Sequence, residues 1–301
     1  MWFWLSMITL LCWSGSDLFS KIGCRGQDRY AHLKMVMAVG LVMGIHAAYE
    51  LFVGGTEISF SILLTYLPVS ALYILSMALG YLGLRYIELS ISSPICNSSG
   101  ALVAVLILIT GGIRDVNGWQ LAAVALVCLG VVCLGVVEAN EDDDLRALRQ
   151  EASNCKYAKS ALALILPVLY CLLDALGTFA DSLVLRTLNE DSANVSYELT
   201  FFLCAVVSFI YVVLVKKQPL VPRQEAPKYV GALCETAGQF AYIYAIGDEE
   251  HVVMAAPIIS AYCVASVLWS RIFLKEKLSA KHYVAVAAVI VGIVILGVFD
   301  A

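Results

Sequence analysis

Gly130–Ala139 reads GVVCLGVVEA and Gly292–Ala301 reads GIVILGVFDA, and six of the ten positions are identical. Each segment ends an apolar run, one just before the middle of the chain and one at its last residues. Upstream of each stands the same dipeptide, Pro94-Ile95 and Pro257-Ile258, at a spacing that differs by one residue. Matches at both places predict a tandem duplication of one unit. The competing explanation is chance similarity among Val, Leu and Gly.

The nature of that unit follows from composition. The 301 residues are 61% hydrophobic and 14% charged, with a mean hydropathy of +0.85, whereas soluble domains carry roughly 25% charged residues. Apolar residues come in runs of about twenty separated by short polar breaks, and a helix rising about 1.5 Å per residue needs that many to cross a hydrocarbon core of about 30 Å. The runs predict ten helices, at 2–20, 31–53, 59–84, 88–110, 118–138, 160–185, 196–215, 227–246, 251–273 and 280–299. One polar stretch exceeds a turn, Glu138–Lys159 with NEDDDLRALRQEASNCK, and five predicted helices lie on each side of it. The expected architecture is an all-α polytopic membrane protein. Residues 1–139 form a first five-helix repeat, 140–159 an acidic linker and 160–301 a second repeat, the ten transmembrane helices surrounding a central cavity.

A unit with an odd number of crossings, copied in tandem, inserts its second copy upside down. Charge placement is an independent check. The loops after helices 1, 3, 5, 7 and 9 hold seventeen of the nineteen Lys and Arg residues, leaving Arg114 and Arg186 for the other face. By the positive-inside rule the rich face is cytoplasmic and both termini lie outside, in a plasma (inner) membrane. The loop after helix 1 is basic while its counterpart after helix 6 is not, and helices 2 and 7 reverse that bias, as inverted copies require.

Other classes are disfavoured. A net charge of -5 with no basic stripe argues against nucleic acid as a partner. The ten cysteines stand singly with no CxxC, so neither a disulfide framework nor a metal site is expected. MWFWLSMITLLCW lacks the basic start of a cleaved signal and reads as the first membrane helix. No GxxxxGK[ST] loop is present to bind ATP, and neither HExxH nor a nucleophile–base pair is found, so no catalytic residue and no cofactor are expected.

Ionisable groups inside apolar runs are costly and usually face a cavity or a partner. In helix 8, Glu235, Gln239 and Tyr242 recur at i, i+4 and i+7 and share one face; in helix 6, Tyr170, Asp174, Thr178 and Asp181 do the same. Glu235 and Asp174 are the deepest. Helix 2 adds His46, Tyr49 and Glu50, and helix 1 adds Trp13, Ser16, Asp17 and Ser20. A carboxyl in a low-dielectric cavity can exchange a proton or hold a cation, and His46 can relay protons. The competing readings are snorkelling to the interface for Asp17, Lys21 and Glu50, and a hydrogen bond between helices for Glu235, Asp174 and His46. Pro94 with the polar run Cys96-Asn97-Ser98-Ser99-Gly100, and Pro257 with Ser260, are equivalent interruptions that point to a central site.

Helices 4 and 5 and helices 9 and 10, each pairing a proline-containing helix with a polar turn and a Gly-rich last helix, resemble the EamA-type repeat of the drug/metabolite transporter superfamily. The second copy keeps an acidic turn residue, Glu276 in LKEKLS, where the first has IRDVN with Asp115 near the equivalent place. WSGSDLFSK, ending in Lys21, is similar to the family's opening helix. The resemblance implies two inverted five-helix repeats, a central cavity and alternating access, in proteins that mostly export metabolites, amino acids or drugs. Relatives that exchange phosphorylated cargo would need cavity-facing Lys or Arg, and here the basic residues cluster in loops. The expected function is secondary transport, outward and proton-coupled, of a small organic metabolite such as an amino acid. The alternatives are a lipid-linked or multidrug carrier and, further off, a membrane-embedded enzyme. Expected partners are a small-molecule substrate and the lipid bilayer, with a homodimer left open.

Overall fold

The computed structural model describes residues 1–24, 28–110, 118–139, 161–275 and 278–299. Among these the regular structure is all helical, and every predicted range is a helix. They are α1 (Trp2–Cys24), α2 (Ala31–Tyr49), α3 (Phe60–Gly83), α4a (Leu89–Asn97) with α4b (Ser99–Ile109), and α5 (Gly118–Ala139). The second half holds α6 (Ala161–Val184), α7 (Glu190–Phe209), α8 (Pro222–Gly247), α9a (Val252–Ser260) with α9b (Tyr262–Trp269), and α10 (Ala280–Phe299). Six stretches of the described residues are long and apolar enough, by length and composition, to cross a membrane: 31–54, 60–83, 89–107, 165–184, 190–215 and 252–274. Two more apolar stretches, 118–133 and 280–296, are shorter. Asp115, Glu276, Cys155 and the linker 140–159 lie outside the described residues.

Three boundaries differ from the sequence reading, each for a local reason. Helix α7 starts at Glu190 rather than 196, because the Asn189 side chain caps it by accepting from the N–H groups of Asp191 (2.9 Å) and Ser192 (3.3 Å). Helix α8 starts at Pro222 rather than 227; a first-turn proline has no N–H to leave unpaired. Helix α1 continues to Cys24, past a Lys21 whose ammonium is buried on the carbonyls of Leu84 (2.9 Å) and Ile87 (2.8 Å).

The proline-containing helices are both broken, at matching places. At Ser98 the N–H turns back on the carbonyls of Pro94 (3.2 Å) and Ile95 (3.4 Å), and at Ala261 on those of Pro257 (3.0 Å) and Ile258 (3.1 Å). Each break falls four residues after its proline. Helices α2 and α7 both end in a wide π turn, Glu50–Gly54 and Ile210–Val215. In the first, Gly55 closes the turn at φ 75°, a left-handed conformation that glycine adopts without steric cost.

The packed pairs also correspond. Helix α1 lies on α8, and α3 on α6; α2 packs on α8, and α7 on α3; α1 packs on α9, and α6 on α4. Moving every helix five places along converts one member of each pair of contacts into the other. Helices α2 and α7, α4 and α9, and α5 and α10 pack on each other directly. The α5–α10 crossing runs through the two glycines of the opening motifs. A Cβ on Gly130 would sit 2.4 Å from Val289 Cγ2 and 3.2 Å from the Ala285 carbonyl oxygen; one on Gly292 would sit 2.6 Å from Val127 Cγ2 and 3.0 Å from the Ala123 carbonyl oxygen. The backbones meet where a side chain has no room, as in small-residue crossings of membrane helices.

At the basic end of the molecule, Lys34 pairs with Asp28 (2.8 Å) and Glu225 (3.3 Å), and Glu225 with Lys228 (2.9 Å). Burial pushes the Asp28 carboxyl up, but the Lys34 ammonium, the Tyr30 N–H and the Lys228 charge hold it below its ordinary value. A carboxyl with a lowered folded-state pKa adds stability at neutral pH that is lost as the pH falls through that pKa. Asp28→Asn is therefore expected to melt at a lower temperature than wild type near pH 7, with the gap closing toward about pH 3. A gap that stays constant over that range would show that Asp28 contributes no charge-dependent stability.

Candidate functional site

A cavity of about 70 Å³ lies between α1, α3, α4, α6, α7, α8 and α9. A water needs roughly 10–15 Å³ on this scale, so the space holds several. Helix α8 turns Glu235, Gln239 and Tyr242 into it, and α6 turns Tyr170, Asp174 and Thr178 into it, so both predicted stripes face the same space. Trp13, Ser16, Asp17 and Ser20 of α1, Cys96, Asn97 and Gly100 around the α4 break and Ser260 at the end of α9a are also on its wall. His46 and Glu50 are not there. His46 on α2 bonds the fully buried Glu198 of α7 through Nδ1 (2.9 and 3.0 Å), and Asn194 also donates to Glu198 (3.2 Å). Glu50 lies 3.8 Å from the other His46 nitrogen.

Each cavity carboxyl is oriented by serine hydroxyls. Ser99, the first residue beyond the α4 break, donates to Asp174 Oδ2 (2.7 Å). Asp17 Oδ2 accepts from Ser93 of α4a and from Ser266 of α9b (2.7 Å), so one carboxylate joins α1 to both broken helices. Ser16 is within hydrogen-bonding reach of Glu235. The breaks thus place Ser93 and Ser99 on either side of the α4 interruption, where each meets a different carboxyl. Asn97 donates back to the Ser93 carbonyl (2.8 Å), occupying part of the polarity that the break exposes.

Toward the α6–α7 turn, one layer of hydroxyls ends the cavity. The Tyr73 hydroxyl bonds Thr178 (3.0 Å) and the Tyr242 hydroxyl; one turn further, Asp181 accepts from Tyr66 (2.8 Å) and Tyr73 (3.5 Å). Tyr66 and Asp181 are fully buried and lie beyond the wall. Asp181 therefore extends the α6 stripe as predicted but seals the space instead of facing it. Tyr66, Ser93 and Ser266 had no place in the sequence reading, and Ser99 entered it only within the polar run after Pro94. The polar run 96–100 was the available signal for Ser99; isolated hydroxyls in apolar runs carry none for the others.

Comparisons with known proteins agree with this architecture. Residues 161–298 match the model of the EamA-like transporter family. A solved crystal structure of a protein 14% identical in sequence superposes with a TM-score of 0.63 over 98% of this chain and 96% of that chain, a likeness of fold. A search of the curated proteins finds no match. With that signature over residues 161–298 and long apolar helices along its length, the chain is a multi-pass membrane protein whose second half is similar to EamA-like transporters of the drug/metabolite transporter superfamily.

Proposed function

We propose that the protein is a secondary exporter that carries a small organic metabolite, such as an amino acid or related compound, across the plasma membrane by alternating access coupled to protons. The observation that carries this reading is the cavity at mid-helix depth, walled by three carboxyls from α1, α6 and α8 and bounded toward the α6–α7 turn by a hydrogen-bonded layer. A charged group at membrane depth is costly unless it works or is paired. Two inverted five-helix repeats account for the corresponding contacts, breaks and π turns of the two halves, and an inverted pair can exchange inward-open and outward-open arrangements by rocking one repeat on the other. The tally of basic residues favours cytoplasmic loops after α1, α3, α5, α7 and α9.

The test is flux from proteoliposomes loaded with amino acids, purines, sugars, polyamines or lipophilic cations, with and without a pH gradient. Wild type is expected to move at least one cargo faster with the gradient, and Glu235→Gln to lose that acceleration while melting as wild type does. Gradient-driven flux that Glu235→Gln leaves unchanged would remove Glu235 from coupling.

A further inference from the structure

The lining of the cavity has one sign of charge. Asp17, Asp174 and Glu235 are on its wall, and among the described residues no Lys, Arg or His is. The Lys21 ammonium, one turn along α1 from Asp17, is directed to the backbone carbonyls of Leu84 and Ile87. The serine bonds leave the carboxylates with capacity to spare, since those to Asp17 and Asp174 fall on Oδ2 alone. Four further groups are unmatched. Trp13 Nε1, Ser20 Oγ, Gln239 Nε2 and the Tyr81 hydroxyl line the cavity and have no hydrogen-bond partner, the last three in residues more than nine-tenths buried, a state that buried polar groups rarely keep without a ligand or water. Aromatic rings make up much of the rest. Trp13 stands 5.0 Å from Tyr242 and 5.7 Å from Tyr262, centroid to centroid, and all three residues line the space with the carboxyls.

Resting on the transport reading above, we propose that the cargo is an organic cation: a small protonated amine or quaternary ammonium compound. Its charged group sits among Asp17, Asp174 and Glu235, its body lies on the rings of Trp13, Tyr242 and Tyr262, and a hydrogen-bond acceptor on it meets the Gln239 amide. Carboxylates and ring faces both attract positive charge, and desolvation strengthens each attraction. An anion of the same shape meets uncompensated like charge.

The experiment measures binding of three probes of similar shape to the purified full-length protein by titration calorimetry: phenethylammonium, neutral 2-phenylethanol and anionic phenylacetate. Phenethylammonium is expected to bind at least about tenfold more tightly than either other probe, a difference of about 1.4 kcal/mol. Asp174→Asn and Glu235→Gln, checked for wild-type melting, should each weaken the cation about tenfold and leave 2-phenylethanol unchanged. The comparison of probes uses wild type alone, so it stands even if a variant misfolds. Equal or tighter binding of the neutral or anionic probe, or no binding of the cation to folded protein, overturns the inference. The two readings also fail separately. A neutral or acidic cargo carried in proteoliposomes would end the cation inference and leave transport standing, whereas selective cation binding without flux of any cargo would end transport and leave the site.

Discussion

Gly130→Leu is expected to destabilise the protein by about 3 kcal/mol or more, and Gly292→Leu by a similar amount. Overpacking a filled interface costs about 1–3 kcal/mol where neighbours can yield, and here they yield little. The added Cβ alone would come within 2.4 Å of Val289 in one case and 2.6 Å of Val127 in the other, with a backbone carbonyl behind each. Total stabilities of about 5–15 kcal/mol make such a loss visible as failed purification or a melting temperature lowered by many degrees. Melting of both single variants in detergent, followed by intrinsic fluorescence, checks this. The correspondence of the two sites makes the test sharper: a collapse at Gly130 beside tolerance at Gly292 would show that the two sides of the crossing are not equivalent.

Asp181→Leu is expected to unseal the cavity. The variant removes the acceptor that Tyr66 and Tyr73 share; Tyr73 keeps Thr178 and Tyr242, but the buried Tyr66 hydroxyl is left without its partner, at a cost of about 1–3 kcal/mol. That cost falls on the closed arrangement, which buries the hydroxyl, and not on one in which the layer parts and water reaches it. A shift of about 1.4 kcal/mol is a tenfold change in population. The readout is labelling of a cysteine placed at cavity residue 178 (Thr178→Cys) by an impermeant reagent applied from each side of the membrane. With Asp181 present, labelling from the α6–α7 side should be slow; with Asp181→Leu it should rise about tenfold or more. Unchanged labelling would mean that the closure does not depend on this layer. Tyr66→Phe removes one of the two hydrogen bonds and should give an intermediate rate.

The helices were legible because a run of about twenty apolar residues has few other uses. Legibility failed where polar residues satisfy one another inside the bundle. The first turns of α7 hold Asn194, Ser196 and Glu198, all at most 2% exposed, and hydropathy counts each of them against a membrane helix although Glu198 is paired with His46 and Asn194. At the site, Glu235 and Asp174 stood out as lone carboxyls in apolar surroundings, and the spacing along α6 and α8 gave their companions. Ser16 and Ser99 were visible beside other polar residues, but Ser93 and Ser266, the partners of Asp17, did not stand out. A serine is small, neutral and common in membrane helices, and the contacts that give these serines meaning join residues far apart in the chain, 249 positions in the case of Ser266 and Asp17. The same limit explains His46. Glu50 lay one turn away and was visible, while the closer partner Glu198 is 152 positions distant.

The glycine crossing of α5 and α10 also bears on how such a chain arises. Gly130 to Gly292, Ala123 to Ala285 and Val127 to Val289 are each 162 residues apart, so either half offers the other the same surface that it receives. A contact of this kind is isologous, the type that two separate copies of one subunit make around a two-fold axis. On the proposed duplication, fusing two copies would add nothing to that contact, but it would fix their ratio and free each half to mutate alone. The cavity has the asymmetry that such freedom allows. Glu235 lies on α8, whereas α3, its counterpart five helices earlier, offers Tyr73, Met77 and Tyr81 to the same space. On the duplication proposed above, the seam between the halves keeps a symmetry that this part of the cavity lacks.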